Sequence, residues 1–455
     1  MTHFDPVGPL RGLLHPPADK SVSHRAALIA AMGSEETEIE GYLDAADTRS
    51  TLTAVEKLGA EVCRNPISRV NVGGSPRFPG RLPAGVPDPV FRIRGVGLRR
   101  LHSAAIDVGN AGTLMRLLPG WLAGQEGGEW TLDGDDSIRR RPVDRIAIPL
   151  REMGADLRAR EDRLPPLAVR GAALHGITYR MPIASAQVKS CMLFAGLLAE
   201  GETEIVEPLP SRDHSERMLA AAGARIDRSV EEVSGRTVVT IHPVERLEPG
   251  RIVVPADISS AAFFLVAATL VPHSEVELLG VGINPTRTGI LSILDRMGAE
   301  IELEAHGEEG GEPIADLRVG AAPLRATEVG GAEIPLAIDE LPLVALAACF
   351  AEGTTTIRDA EELRRKESDR VETVTAALNA LGGEVEPTPD GMVVTGTGGL
   401  RGGTIESHGD HRIAMLGAVA GLASREGVEV VGMDAAAVSY PGFEADLGSL
   451  IDSGA

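Results

Sequence analysis

Five times in this chain a helix-like run stops at a glycine and turns at once into an alternating strand. The copies are Leu58-Gly59-Ala60-Glu61-Val62, Met153-Gly154-Ala155-Asp156-Leu157, Ala222-Gly223-Ala224-Arg225-Ile226, Met297-Gly298-Ala299-Glu300-Ile301 and Leu381-Gly382-Gly383-Glu384-Val385. Glycine takes the left-handed backbone that closes a helix without a Cβ clash, and the alternation after it suits a half-buried strand. A second pattern interleaves with the first: an apolar run, a small-residue or Gly turn, then a strand, starting at Leu28, Trp121, Leu197, Leu270, Phe350 and Leu422. These starts lie roughly 70–95 residues apart, too far for a solenoid repeat and right for a small α/β unit. The two patterns together predict an α/β chain of six helix-and-strand units, three in each half, built by duplication with antiparallel hairpins added. A single large doubly wound sheet is the alternative arrangement of the same elements.

Pro and Gly punctuate HPVERLEPGR at the end of the third unit, which places a domain boundary between residues 250 and 251. The Gly/Glu-rich stretch HGEEGGEPIAD around Glu308 reads as an exposed loop. With 44 basic against 66 acidic residues the formal charge is -22. Such a surface repels polyanions, so nucleic acid and anionic membranes are excluded as partners while a small anion held by a local cluster is not. No stretch reaches the ~18–20 uncharged apolar residues of a membrane span. The start, MTHFDPVGPLRG, lacks the basic and apolar regions of a secretory signal, so the cytoplasm is the expected compartment. Cys63, Cys191 and Cys349 are too few and too scattered for a disulfide framework or a metal site, and each is expected in a core.

Lysine occurs only at Lys20, Lys57, Lys189 and Lys366, so 40 of the 44 basic residues are arginines. Where lysine persists in so biased a chain, a compact and titratable ammonium is the property that arginine cannot supply. Three of the four fall in the motifs that follow; Lys57 lies on a polar helix face. Asp19-Lys20-Ser21-Val22-Ser23-His24-Arg25 comes before one such helix, and Ala184-Ser185-Ala186-Gln187-Val188-Lys189-Ser190 before another. Asp107-Val108-Gly109-Asn110-Ala111-Gly112-Thr113-Leu114-Met115-Arg116 is a third small-residue entry, and Arg139-Arg140-Arg141-Pro142 is a run of cations after the second repeat strand. Ser211-Arg212-Asp213-His214, Ile338-Asp339-Glu340, Arg364-Arg365-Lys366-Glu367-Ser368-Asp369-Arg370 and His408-Gly409-Asp410-His411-Arg412 complete the set. Taken singly, each is also read as a capped helix start or a solvated salt-bridged face. The two histidines beside Asp410 have no third His or Cys near them in sequence, so no metal is expected.

Together, helix starts bearing Lys, Arg, Ser and Gly in both halves make local positive potential for small polyanions, because helix N-termini carry unsatisfied N–H groups and partial positive charge. Asp339 and Glu367 are exceptions among them, and carboxylates beside bound anions are costly unless they move protons.

In their order along the chain, DKSVSHR, GNAGTLMR, RRRP, SAQVKS, SRDH, IDELP, RRKESDR and GDHR resemble the 3-phosphoshikimate 1-carboxyvinyltransferase (EPSP synthase) family across nearly the whole sequence. The SAQ, SRDH and REMGA wording is similar to its bacterial class II branch. The resemblance implies the two-domain enolpyruvyl transferase fold, an inside-out α/β barrel of three repeated units per domain. Residues 1–19 with 251–455 form the domain that carries the acid/base carboxylates. Residues 20–250 form the one that carries most shikimate-phosphate contacts, with the active site in the cleft between them, closing on substrate. It implies transfer of the enolpyruvyl group of phosphoenolpyruvate to the 5-hydroxyl of shikimate 3-phosphate, by addition and elimination, without a cofactor. Carried over by position, Lys20, Ser21, Arg25, Ser185, Ala186, Gln187, Arg212, Asp339 and Lys366 contact shikimate 3-phosphate. Lys20, Gly112, Arg141, Gln187, Arg370 and Arg412 hold phosphoenolpyruvate. Asp339, Glu367 and Lys20 are the catalytic set, and a monomer is the family default.

Two alternatives accompany this reading. The UDP-N-acetylglucosamine enolpyruvyl transferase uses a cysteine in a mobile Gly-rich loop, and no cysteine here lies in one. A non-catalytic anion-binding paralogue would have lost Asp339 or Glu367, and both are present. One departure from the plant and enterobacterial branch is Val438-Ser439-Tyr440-Pro441, where that branch carries a lysine. Gly112 stands where a glyphosate-tolerant relative has alanine.

Overall fold

All five junction glycines close helices in the left-handed region, with φ between 92° and 112° at Gly59, Gly154, Gly223, Gly298 and Gly382. The computed structural model describes residues 1–64, 90–232 and 234–451. Among them are twelve helices of seven residues or more: α1 Lys20–Met32, α2 Ala46–Lys57, α3 Gly112–Ala123, α4 Asp144–Glu152, α5 Ala186–Gly196, α6 His214–Ala221, α7 Ile258–Leu270, α8 Gly289–Met297, α9 Leu341–Phe350, α10 Arg370–Ala380, α11 His411–Ala423 and α12 Phe443–Ser449.

The strands form six small sheets, five of four strands and one of three. In the sheet Ala104–Asp107, Glu129–Asp133, Leu164–Arg170, Asp156–Arg160, the first pair is parallel and the others antiparallel. Helix α3 lies between the parallel strands in sequence and α4 precedes the antiparallel hairpin, so the unit reads β-α-β-α-β-β. The sixth sheet explains why six units have only five glycine junctions. It consists of Gly403–Glu406, Val428–Val431 and the N-terminal strand Thr2–Phe4, which pairs antiparallel with Val428–Val431 where a hairpin stands in the other sheets. Six separate sheets set aside the single doubly wound sheet.

The chain divides into two units. The N unit comprises Ala18–Pro255 with Glu308–Glu312, and the C unit comprises Met1–Pro17, Ala256–Gly307 and Pro313–Ala455. The later crossing lies at Pro255 rather than before Arg251, because strand Arg251–Val253 pairs parallel with Glu36–Glu40 and completes that sheet of the N unit. The stretch read as a loop around Glu308 is instead a pair of strands, Glu300–Glu309 and Glu312–Gly320, turning at Gly310 and Gly311, both at positive φ. The Gly/Glu composition reflects the turn and the exposed strand face.

Each unit has its own apolar core. Helices α1, α5, α7, α9 and α11 are buried over nearly their whole length, which is why their sequences beyond the polar first turns are apolar all round rather than amphipathic. Close approach of α3 to α5 requires Gly120, where a Cβ would lie 2.0 Å from the Cys191 carbonyl oxygen. In the C unit Phe264 is fully buried against Tyr440 and Phe443, with ring centroids 5.9 and 5.7 Å away, a contact whose truncation to alanine costs ~3–5 kcal/mol. Cys191 and Cys349 are core residues as expected, but Cys63 is exposed, because it ends the short strand Glu61–Cys63.

Candidate active site

In the N unit the predicted residues gather on the starts of α1, α3, α5 and α6. Asp19 caps α1, accepting from the Val22 N–H at 2.8 Å, which fixes Lys20 and Ser21 in the first turn. The Lys20 ammonium pairs with Asp47 of α2 at 3.2 Å. Arg25 is nearly buried, and hydrogen bonds to neutral oxygens orient it. Its Nε donates to Ser215 Oγ at 2.7 Å, Nη2 to Ser190 Oγ at 2.9 Å and Nη1 to the Ser21 carbonyl at 2.9 Å. One guanidinium therefore ties the first turns of α1, α5 and α6.

Ser185 caps α5, and Gln187 at its second position links it to α3: the Gln187 Oε1 accepts from Arg116 Nη1 at 3.1 Å, and its amide donates to Thr113 Oγ1 at 3.3 Å. Arg116 Nη1 also reaches the Gly112 carbonyl at 3.3 Å. A Cβ at Gly112 would lie 3.0 Å from Arg141 Nη1 and 3.1 Å from Arg116 Nη1. The missing side chain at the head of α3 is thus flanked by two guanidinium groups. Of the three arginines in RRRP, Arg139 turns to the surface and pairs with Asp133, while Arg141 turns to Gly112. Arg212 lies in the loop just before α6.

On the inner face of α1, His24 is fully buried and bonded through Nδ1 to Thr51 Oγ1 at 2.6 Å. Burial first, and then the positive charges of Lys20 and Arg25, lower its pKa to about 3. It is a neutral histidine at physiological pH and adds no charge. His214, also buried, pairs with Glu312 at 2.8 Å within the N unit, so it is a core histidine rather than the surface or capping residue its sequence context suggests.

In the C unit the dense alternation of signs in RRKESDR divides in two. Arg364 takes the outward carboxylates, Asp369 and Glu372, each at 2.9 Å. Arg370, at the first position of α10 and only 1% exposed, faces inward. Its Nε donates to Asp410 Oδ2 at 2.9 Å, Nη1 to Asp339 Oδ1 at 3.2 Å and Nη2 to Glu367 Oε2 at 2.7 Å. Burial opposes its charge, but Asp410, Glu367 and Asp339 outweigh that and raise its pKa. Burial likewise pushes the Asp410 carboxyl up, yet the Arg370 charge and hydrogen bond bring it below the usual range.

Lys366 lies 3.3 Å from Asp339 Oδ1, so that carboxylate is held between two cations. Arg412, in the first turn of α11, has its N–H on Asp410 Oδ1 at 2.9 Å and its guanidinium 3.6 Å from buried Glu340. Asp339, Lys366, Glu367, Arg370 and Arg412 are thus brought together around Arg370 and Asp410. Two carboxylates suited to proton transfer sit on separate amino groups of one guanidinium.

Sequence reasoning missed Arg116, although GNAGTLMR spaces it one helical turn after Gly112. It missed Asp410 and Glu340 as partners of Arg370 and Arg412, whose pairing crosses between separate motifs. Among the described residues no three His, Cys, Asp or Glu side chains are arranged to hold a metal ion, and no helix is long and apolar enough to cross a membrane.

Two solved structures of EPSP synthase from Acinetobacter baumannii superpose on this chain with TM-scores of 0.84 and 0.83. Each is 38% identical in sequence and covers 98% of this chain, with 97% and 98% of the respective neighbour covered. The architecture is therefore the two-domain enolpyruvyl transferase fold. The family model for EPSP synthase (3-phosphoshikimate 1-carboxyvinyltransferase) matches residues 4–80 and 88–447. A 3-phosphoshikimate 1-carboxyvinyltransferase from Gloeobacter violaceus is 49% identical, covering 96% of each chain, and one from Synechococcus sp. is 47% identical, covering 99% of this chain and 96% of its own. The chain belongs to the EPSP synthase family. Its activity is enolpyruvyl transfer from phosphoenolpyruvate to shikimate 3-phosphate in the shikimate pathway, not transfer to a UDP-amino sugar.

Proposed function

We propose a division of labour within that transfer. The N unit supplies most of the anion-holding groups: Lys20, Ser21, Arg25, Ser185, Ala186, Gln187 and Arg212 for shikimate 3-phosphate, and Lys20, Gly112, Arg141 and Gln187 for phosphoenolpyruvate. Arg116 joins the second set through its place beside Gly112. The C unit supplies the two carboxylates that move protons. Asp339 accepts the 5-hydroxyl proton as the hydroxyl oxygen bonds to C2 of phosphoenolpyruvate, and Glu367 or Lys20 delivers a proton to the methylene carbon, giving the tetrahedral intermediate. Elimination then removes a methyl proton and expels phosphate, leaving the enol ether. Lys366 contacts the sugar-phosphate, and Arg370 and Arg412 serve the phosphoenolpyruvate carboxylate, whose planar geometry suits a guanidinium fork.

The observation that carries this reading is Arg370, which holds Asp339 and Glu367 on separate nitrogens and so keeps both carboxylates placed for transfer in the same reaction. A phosphate-release assay with phosphoenolpyruvate and shikimate 3-phosphate tests it. Asp339→Asn and Glu367→Gln are each expected to lose ~10²–10⁴ in kcat, the usual contribution of a general acid or base; full activity in either removes that residue from the scheme. A monomer in the cytoplasm completes the proposal, and sedimentation at assay concentration checks the first part.

A further inference from the structure

Lys189 is the lysine of SAQVKS that no substrate contact claims. Although it stands in the first turns of α5, it does not face solvent: its side chain is 1% exposed. The ammonium lies 3.0 Å from Glu207 Oε2, 2.6 Å from Glu216 Oε1 and 3.2 Å from the Ser211 carbonyl oxygen. Glu207 ends strand Thr203–Glu207, Ser211 stands next to Arg212, and Glu216 is in the first turn of α6. Ser211 Oγ also donates to Glu207 Oε1. Three oxygens from three consecutive chain segments therefore converge on one cation.

An ammonium has three N–H donors in a tetrahedral array, whereas a guanidinium is a planar fork. Three acceptors in so small a space explain a lysine here in a chain with 40 arginines and 4 lysines. Stability alone does not explain it. Buried ion pairs cost desolvation, and well-packed apolar residues of similar volume often replace them without loss. Burial pushes the Glu216 carboxyl up even beside the ammonium. What the cluster supplies is position. It locks the Ser211–Glu216 segment, which carries Arg212 and Ser215, onto α5, which carries Ala186, Gln187 and Ser190. Ser190 and Ser215 in turn bond to each other at 2.6 Å and both hold Arg25.

We infer that Lys189, with Glu207 and Glu216, is a positioning residue for the sugar-phosphate half of the site: its ammonium sets the α6 entry loop against α5 so that Arg212 and Arg25 stand ready for a phosphate. The inference rests on the assignment of Arg25 and Arg212 to shikimate 3-phosphate. Lys189→Met is expected to raise the KM for shikimate 3-phosphate on the order of 10–100-fold, as misplacement by about 1 Å does, with the KM for phosphoenolpyruvate within about twofold. Glu207→Gln, which keeps the ammonium, serves if Lys189→Met fails to fold, and is expected to move the same constant in the same direction by less. A shikimate 3-phosphate KM unchanged in the folded variants, or both KM values rising in proportion, overturns the inference. Arg212→Ala measured alongside separates the premises: if it leaves shikimate 3-phosphate binding intact, the assignment of Arg212 fails, whereas loss of binding there with none in the Lys189 and Glu207 variants refutes the brace alone.

Discussion

Two clusters of charged side chains, one in each unit, are held by different sets of partners. In the N unit, hydroxyl and carbonyl oxygens of Ser215, Ser190 and Ser21 orient Arg25, and Arg116 and Arg141 flank a glycine. In the C unit, Arg370 is surrounded by Asp339, Glu367 and Asp410. Serine oxygens around a guanidinium set its direction, while Lys20 beside it pairs with a single carboxylate, Asp47. Carboxylate partners instead make a guanidinium hold acids in place. The first arrangement suits binding of phosphate and carboxylate groups, and the second suits proton transfer beside them.

The largest expected effect comes from breaking the second cluster. Removing Arg370 as Arg370→Met leaves buried Asp410 without its counter-charge, a loss worth ~3–5 kcal/mol for a buried pair, and thermal unfolding should show it. Next comes the binding side. Arg25→Lys keeps a charge but loses the fork, so the KM for shikimate 3-phosphate should rise ~10–100-fold, the worth of a charge-assisted hydrogen bond, while kcat changes far less; equal losses in both would erase the distinction between the clusters. A smaller effect is expected of Gly112→Ala. The new methyl meets two guanidinium ends at 3.0 and 3.1 Å, which must each give by tenths of an ångström, and the KM for phosphoenolpyruvate should rise severalfold with that for shikimate 3-phosphate nearly unchanged.

A pH effect on the buried face of α1 completes the set, with no change expected at neutral pH. His24 has a folded pKa of about 3 against 6.5 unfolded, so between those values the unfolded chain binds more protons and stability rises with pH. Acidification from about pH 6.5 toward 3 therefore withdraws stability on the order of a few kcal/mol, and none of this term changes above pH 7. His24→Asn should flatten that part of a melting-temperature profile, and an unaltered slope would show that other groups set it.

Much of the fold was legible because it is local. A glycine that closes a helix and the strand that follows are neighbours in sequence, so five junctions and six apolar runs placed the units. The missing sixth junction was not legible, since the strand that replaces the hairpin comes from the other end of the chain, at Thr2–Phe4. The site followed the same rule. Lys20, Ser185 and Arg412 announce themselves as polar residues at helix starts. The roles of Asp410, Glu340 and Lys189 depend on partners tens of residues away, and no periodicity carries that information. Cys63 shows the converse failure: composition favours burial, but its short strand leaves it exposed.

The separation of binding from proton transfer is tested most directly by calorimetric titration of Asp339→Asn with shikimate 3-phosphate, alongside its steady-state turnover. The account predicts an affinity within about tenfold of the wild type with turnover reduced by ~10²–10⁴. Turnover retained at the wild-type level, or affinity lost in step with turnover, would contradict it.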